Sequence, residues 1–418
     1  MVFTRIREAG EFLSCGLMIV YPILSNIVFG LWRNVAKAGS WMAKVQSDDG
    51  WKQHTPISGK VIWMHCASLG EFEMGRPVLE LFLQKHTNWQ AVVTFFSPSG
   101  YEPRKSYSNA KVHYLPIDTP SEVNKWLDYA NPSLAVFVRY DIWPNHLNAL
   151  RKRDIPCVVM AMSAPKTPWY LRRTLPFIRK VYMEGIHTWG VISAQDSANM
   201  SLAGIHSEVL GNPKYDYAAS LAGKASIEKF AAWKKSQQKP ILLIGSAHLE
   251  DCKALNGLDL SGFSAWVVPH EIDEGEAMKS ALSQFTKDDA ANSITDKPKA
   301  ASLLMIPEFG VLSGLYSLAD GVIIGGGYGK ATHNVLEATV QGKVAASGPN
   351  WQKIAENHEL VELGYLIPAQ NESSYRQYLQ RIGTIEFVAK GNEAQQWILS
   401  QKGASEKILK VLEQAVHL

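Results

Sequence analysis

After residue 60 the chain alternates short apolar, β-branched runs with helical stretches, and this alternation limits the fold more than any other feature. Strands separated by helices are the signature of βαβ units on a parallel sheet. A first series comprises VIWMHC, AVVTFF, VHYLPI, LAVFV, CVVMAM and WGVISA; a second begins at Ile241 with ILLIG and continues through AWVVP, SLLMIP, GVIIGGG and KVAASGP. Two series in 418 residues predict two doubly wound α/β domains, since one core rarely grows past about 250 to 300 residues. The polar, helix-prone stretch Gly211 to Pro240 reads as the connection, with segments 1–40, 41–215 and 216–418 and a last helix able to return to the first domain. Ligands of open parallel sheets bind beyond the carboxyl ends of the strands, so two facing Rossmann-like domains predict a cleft site built from post-strand loops.

The first forty residues are of a different kind. Phe12 to Trp32 carries no formal charge and is just long enough to cross a bilayer as a helix. Pro22, Ser25 and Asn26 interrupt it, basic residues flank it, and Tyr21 and Trp32 are suited to headgroup depth, so an anchor or interfacial segment at a membrane surface is expected. A buried core helix is the structural alternative. A net charge of +3 is too small for a nucleic-acid surface, and Cys15, Cys66, Cys157 and Cys252 lack the spacing of a zinc site or disulfide framework. No metal ligand set is expected.

The loops after the strands hold the candidate chemistry. In HCASLGEFEMGRP, Ser68 and Glu71 fit both a capping box and a positioned carboxylate; Gly70 favours a closely approaching ligand, because glycine in a first helical turn otherwise costs about 1 kcal/mol. Ser99-Gly100-Tyr101-Glu102 repeats the pattern. Asp141, within RYDIWPN, reads equally as a helix cap. Lys166 to Lys180 interleaves cations with aromatics, as a solvated helix face or a headgroup contact would. In the second half Gly325, Gly326 and Gly327 precede Thr332 to Glu337, read as a helix start whose amides and dipole suit a phosphate, with Glu337 placed for ribose hydroxyls. The order is neither a Walker loop nor a convincing GxGxxG. The residues alone point to a phosphorylated or nucleotide-linked ligand.

These blocks, in order, resemble the 3-deoxy-D-manno-octulosonic acid (Kdo) transferases of lipopolysaccharide synthesis over nearly the whole chain: HCASLGEFEMGRP, TFFSPSGYE, YDIWPN, GNPKYD, GSAHLED, VVPHE, FGVLSGLYSLADGVIIGGGYGKATHNVLEA and SGPNWQKIAE. The resemblance implies a GT-B glycosyltransferase that takes Kdo from CMP-Kdo to a lipid A precursor with inversion, without metal or cofactor, at the cytoplasmic face of the inner membrane. It implies Glu71 as general base and Asp141 and Lys214 as transition-state stabilisers, the family usually having Glu at the Asp141 position. For Lys214 the bland alternative is an exposed linker lysine. Pro269 and His270, Gly310, Val311 and Leu312, and Asn334, Val335, Leu336 and Glu337 match CMP-binding segments, and Ser68, Gly70, Gly326 and Gly327 join the binding set. VVPHE lacks the arginine of the common PRH form and FGVL the glutamate of the common GEL form. Ser68 is expected to cap its helix while the Glu71 carboxylate turns toward the acceptor hydroxyl instead of back to the Ser68 amide. Another two-domain nucleotide-sugar enzyme, a UDP-sugar transferase or epimerase, and a non-catalytic nucleotide-sugar binding protein are the alternatives.

Overall fold

The computed structural model describes residues 50–172, 176–222, 228–282, 292–294, 297–308 and 310–418, together with Tyr21, Ile23, Ser25 and Asn26. The chain divides into two units, Met1–Tyr217 with Gly403–Leu418, and Ala218–Lys402.

The first unit is a seven-stranded parallel sheet built from β1 (Lys60–Cys66), β2 (Trp89–Phe95), β3 (Lys111–Tyr114), β4 (Leu134–Val138), β5 (Cys157–Met162), β6 (Thr188–Val191) and β7 (Glu208–Val209), in the order β3-β2-β1-β4-β5-β6-β7. Both faces are covered, which is why the strands read as continuous apolar runs. Val61 and Trp63 of β1 enter one core with Phe137 and Trp126, while Ile62, Met64 and Cys66 enter the other with Phe72, Val78 and Leu79. Ile408, Leu409, Val411 and Leu412, on the helix Ala404–Ala415, fill that second core, so the end of the chain completes the first unit. The Asp216 carboxylate accepts from the Gly403 and Ser405 N–H groups and so caps that helix.

The second unit repeats the plan with β8 (Ile241–Ala247), β9 (Ser264–Pro269), β10 (Asn292–Ser293), β11 (Leu303–Met305), β12 (Gly321–Ile324), β13 (Ala345–Ser347) and β14 (Leu366–Pro368), ordered β10-β11-β9-β8-β12-β13-β14. The doubly wound α/β expectation therefore holds for each unit; β7, β10 and β14, two or three residues long, were not among the strands read from sequence. The strand order reverses between β1 and β4 in one sheet and between β8 and β12 in the other. Connections there leave for opposite faces, which opens a crevice past the strand ends.

Among the described residues no helix is long and apolar enough to cross a membrane. The Phe12 to Trp32 segment lies outside the described residues except for four positions, which are helical. Two of these are tied to the first unit: the Tyr21 hydroxyl donates to the buried Asp118 carboxylate at 2.9 Å, and Ser25 Oγ accepts from Asn145 Nδ2 at 3.1 Å. Tyr21 is thus engaged by protein, not left for a headgroup as expected. In the Lys166 to Lys180 stretch Lys166, Arg172 and Lys180 are exposed, as a solvated face requires, while two other residues are engaged by the protein. Tyr170 is buried and stacks on Tyr182 at 4.3 Å, and Arg179 donates to the Ala203 carbonyl.

Gly325 shows how tightly the second switch point is closed, since a Cβ there would lie 2.1 Å from the Ser246 carbonyl oxygen at the end of β8. Gly70 is the reverse case, helical, exposed and with nothing within 4 Å of a built Cβ. Gly325→Ala is expected to destabilise the protein by about 1–3 kcal/mol or more in a denaturant titration. Gly70→Ala should stabilise it by up to about 1 kcal/mol in the same assay.

Candidate active site

At the switch point of the first sheet the loops after β1 and β4 bring together Glu71, Asp141, His65 and Arg139. Glu71 sits in the first turn of the helix Leu69–Lys85, and its Oε2 accepts from the Ala67 N–H at 2.5 Å. One expectation is corrected: Ser68 occupies the N-cap position without a capping hydrogen bond from its side chain. Glu71 takes its backbone bond from Ala67 and not from the Ser68 amide, which gives a half-buried carboxylate the donor it needs. Burial raises Glu71 above the ordinary glutamate value; the Ala67 N–H, His65 and Arg139 pull it down, and Asp141 adds to the rise.

Asp141 does not cap the next helix, whose N-cap is Trp143. Its Oδ2 lies 3.0 Å from His65 Nε2, so the ring N–H donates to it. Arg139 takes a left-handed φ of +67°, its guanidinium lies 5.1 Å over the Tyr140 ring, and its buried Nε has no hydrogen-bond partner among the described residues. A non-glycine residue in that region costs on the order of 1–3 kcal/mol, a strain typical of functional loops. Lys214 lies in the helix Pro213–Leu221, its N–H held by Asn212 Oδ1 at 3.1 Å, and it acts electrostatically on Glu73, two residues on from Glu71. It is half-buried, not an exposed linker lysine. The second loop pattern shifts by two residues: Ser97, not Ser99, caps the helix Pro98–Arg104.

In the second unit the loops after β8, β9 and β12 converge on three histidines. The rings of His270 and His333 stack at 4.2 Å, those of His248 and His333 at 5.2 Å, and the Nε2 atoms of His248 and His333 are 3.0 Å apart. Ring nitrogens of all three lie within 4.8 Å of one another, the spacing at which a metal could be considered, although none was expected. Near-parallel rings, however, aim their lone pairs side by side, whereas metal ligands converge on one point from different directions. The cluster suits a flat, polar wall beside a bound ligand. Burial and the neighbouring imidazoles lower His333 to about 4, and His270 is lowered by the same causes.

The glycine loop differs from expectation. Gly326 N–H and Tyr328 N–H both donate to the buried Asp251 carboxylate, and Gly327 is packed so closely on Gly348 that a Cβ would lie 2.4 Å from its nitrogen. These contacts commit Gly326 N–H to Asp251 and the space beside Gly327 to protein backbone. The following helix is also shorter than read, Leu336–Thr339, with Asn334 Oδ1 accepting from Leu336 N–H and Asn334 Nδ2 donating to Glu337 Oε1. Glu337 is therefore in the first turn, and Val335 and Leu336 are core side chains that offer a ligand only backbone. Pro269 closes β9 and is buried, whereas His270 is exposed just beyond it. Gly310, at φ +78°, leads into Val311 as N-cap and Leu312 as first residue of the helix Leu312–Leu318.

Residues 40–217 match the family model of the 3-deoxy-D-manno-octulosonic-acid transferases (kdotransferases). The first unit thus carries a domain like that of these transferases, and the chain as a whole is similar to them. It is 23% identical over 380 residues to the 3-deoxy-D-manno-octulosonic acid transferase of Haemophilus influenzae, covering 84% of this chain and 86% of that one. It is also 23% identical over 350 residues to a bifunctional glycosyltransferase/methyltransferase of Fusobacterium nucleatum, covering 78% of this chain but only about half, 52%, of that longer one. Among solved structures, UDP-GlcNAc 2-epimerase from Neisseria meningitidis bound to UDP-GlcNAc superimposes with a TM-score of 0.55 at 16% identity, over 86% of this chain and 99% of that one. At such identity the likeness concerns the fold.

Read against the Kdo transferase blocks, His65, His248, His333 and Asp251 are the site residues that the sequence reading passed over. Each stands in a block already quoted, HCASLGE, GSAHLED or KATHN, at or just past the end of a strand. The low His333 value has a consequence for stability. An unfolded His333, near 6.5, binds a proton that the folded ring resists down to about 4. The unfolded state then binds more protons, so stability is lost as pH falls from about 6.5 toward 4. The denaturation midpoint is expected to drop across that window, and His333→Gln should flatten the drop.

Proposed function

We propose that the chain transfers Kdo from CMP-Kdo to a hydroxyl of a lipid A precursor, with inversion, at the cytoplasmic face of the inner membrane. The observation that carries this reading is Glu71: a carboxylate held by the Ala67 N–H at the switch point of a Kdo transferase domain, with burial as the largest influence on it, beside Asp141 and Arg139.

The chemistry follows from the charges. A sugar hydroxyl is barely acidic, so its proton must pass to a positioned base as the new bond to the anomeric carbon forms, and Glu71 is that base. A carboxylate raised by burial is a better proton acceptor than one at its ordinary value, provided it is ionised at working pH. Bond breaking leaves positive charge at the anomeric centre, which Asp141 offsets, and negative charge on the departing CMP phosphate, which a cation such as Lys214 offsets. In this reading His248, His270 and His333 form the polar wall of the donor site, together with Gly310, Leu312 and Asn334. No metal or other cofactor enters the scheme. The acceptor carries acyl chains while the donor is water-soluble, which gives the apolar N-terminal segment its purpose at a membrane surface.

Incubation with CMP-Kdo and a tetra-acylated lipid A precursor, followed by mass spectrometry, should show the acceptor gaining one or more Kdo masses. Glu71→Gln is expected to lower kcat by roughly 10²- to 10⁴-fold, the usual worth of a general base, while CMP still raises the thermal midpoint as it does for the wild type. Stabilisation by UDP but not by CMP, with no Kdo mass gained, would replace this reading with a UDP-sugar enzyme.

A further inference from the structure

We infer that His65 is a positioning residue for the transfer, fixing the Asp141 carboxylate beside Glu71 through a buried relay that runs from Trp63 through Thr94. The inference rests on the role proposed above for Asp141. His65 and Trp63 project from the same face of β1, and Thr94 is the register partner of His65 on β2. His65 and Thr94 are both fully buried.

The relay has a direction. Trp63 Nε1–H donates to Thr94 Oγ1 at 2.9 Å. The indole nitrogen is only a donor, so the hydroxyl must accept there and keeps a single proton to give away. His65 Nδ1 lies 2.9 Å from that oxygen and takes the proton. The ring proton of His65 then resides on Nε2, which faces Asp141 Oδ2 at 3.0 Å. A carboxylate only accepts, so this is the one tautomer of a neutral ring that completes every bond. The Thr94 carbonyl, 3.1 Å from Nδ1, offers the competing arrangement, in which Nδ1 donates and Nε2 turns a bare lone pair on the carboxylate. The Asp141 carboxylate, which only accepts, selects the Nε2–H form, and the Trp63 indole ties the Thr94 hydroxyl into the same chain.

A purely structural histidine would be satisfied by Thr94 alone. His65 instead extends its second nitrogen out of the core to a loop carboxylate whose side chain is 22% exposed, past the carboxyl end of the sheet. The loop backbone is held by other groups, with Ile142 buried and its carbonyl accepting from the Tyr182 hydroxyl, but the Asp141 carboxylate does not cap the following helix and takes its bond from His65. Misplacement of a reacting group by about 1 Å can cost about 100-fold in rate, which sets the expected size of the effect.

The test compares kcat, acceptor KM and the CMP-induced thermal shift in His65→Leu, His65→Gln, Thr94→Val and Asp141→Asn. His65→Leu should lose about 100-fold in kcat with KM and the CMP shift little changed, and His65→Gln, whose amide N–H can reach Asp141, should recover at least about tenfold of that loss. Thr94→Val leaves His65 in place, and covers the case in which His65→Leu does not fold. Nitrogen-15 spectra of histidine-labelled protein should show its ring proton moving from Nε2 to Nδ1, with kcat falling and KM unchanged. Equal kcat in the Leu and Gln variants, or a Thr94→Val protein with both wild-type tautomer and wild-type kcat, overturns the relay. If Asp141→Asn loses activity while His65→Leu keeps it, the relay alone is wrong; if Asp141→Asn is fully active, the role of Asp141 falls and the relay with it.

Discussion

A parallel sheet covered on both faces leaves a polar side chain two options: to be satisfied inside the core or to be carried past the end of a strand. The rest of this structure depends on that constraint. In β4 and β5 every residue is buried, and in β1 only Lys60, at the entry, is exposed. Leaving one polar group of such a strand without a partner costs about 1–3 kcal/mol. His65 meets this by taking Thr94 at one nitrogen and Asp141 at the other, and so the core polar group and the site carboxylate become one network. The groups that can titrate or bind are driven into the post-strand loops, where strand reversal leaves room for them.

The two units answer this constraint with different chemistry. The first gathers carboxylates, and burial competes there with hydrogen bonding for control of Glu71. Burial is the larger influence, so the group is raised even though a backbone N–H and two basic side chains oppose the rise. The second gathers imidazoles, two of which, His333 and His270, burial and mutual repulsion hold below the ordinary value. A raised carboxylate and lowered imidazoles are different chemical tools built on the same plan.

The strands were legible because continuous apolar runs of four to seven residues are what a doubly covered sheet demands. The shortest, β7, β10 and β14, contribute too few buried positions to stand out. Glu71 and Asp141 were legible as candidates because they follow strands, but their partners were not. Which loops meet is decided by strand order, and the adjacency of β1 to β4 or β8 to β12 is a property of topology that no local pattern states. His248, His270 and His333 are spread over 85 residues and were seen only as separate blocks. The glycine loop misled for a related reason. Gly325 to Gly327 look alike whether the close neighbour is a ligand or another stretch of backbone, and the structure shows backbone against all three, with Asp251 accepting from Gly326 and Tyr328.

Asp251 and Glu71 occupy corresponding places, each in the first turn of the helix that follows the first strand of its sheet, and each reaches backbone N–H groups. They differ in how far that bonding goes. Asp251 is 2% exposed and accepts from His248, Gly326 and Tyr328, so its lone pairs are committed to closing loops onto each other. Glu71 is half-buried, and one of its oxygens takes a single backbone bond, from Ala67. A carboxylate accepts about four hydrogen bonds in two directions, so the first residue is spent on structure while the second is anchored on one side and keeps capacity on the other. The same position in two related folds is a clasp in one unit and a carboxylate with open acceptor capacity in the other, and the count of backbone donors around it, not the residue type, separates the two.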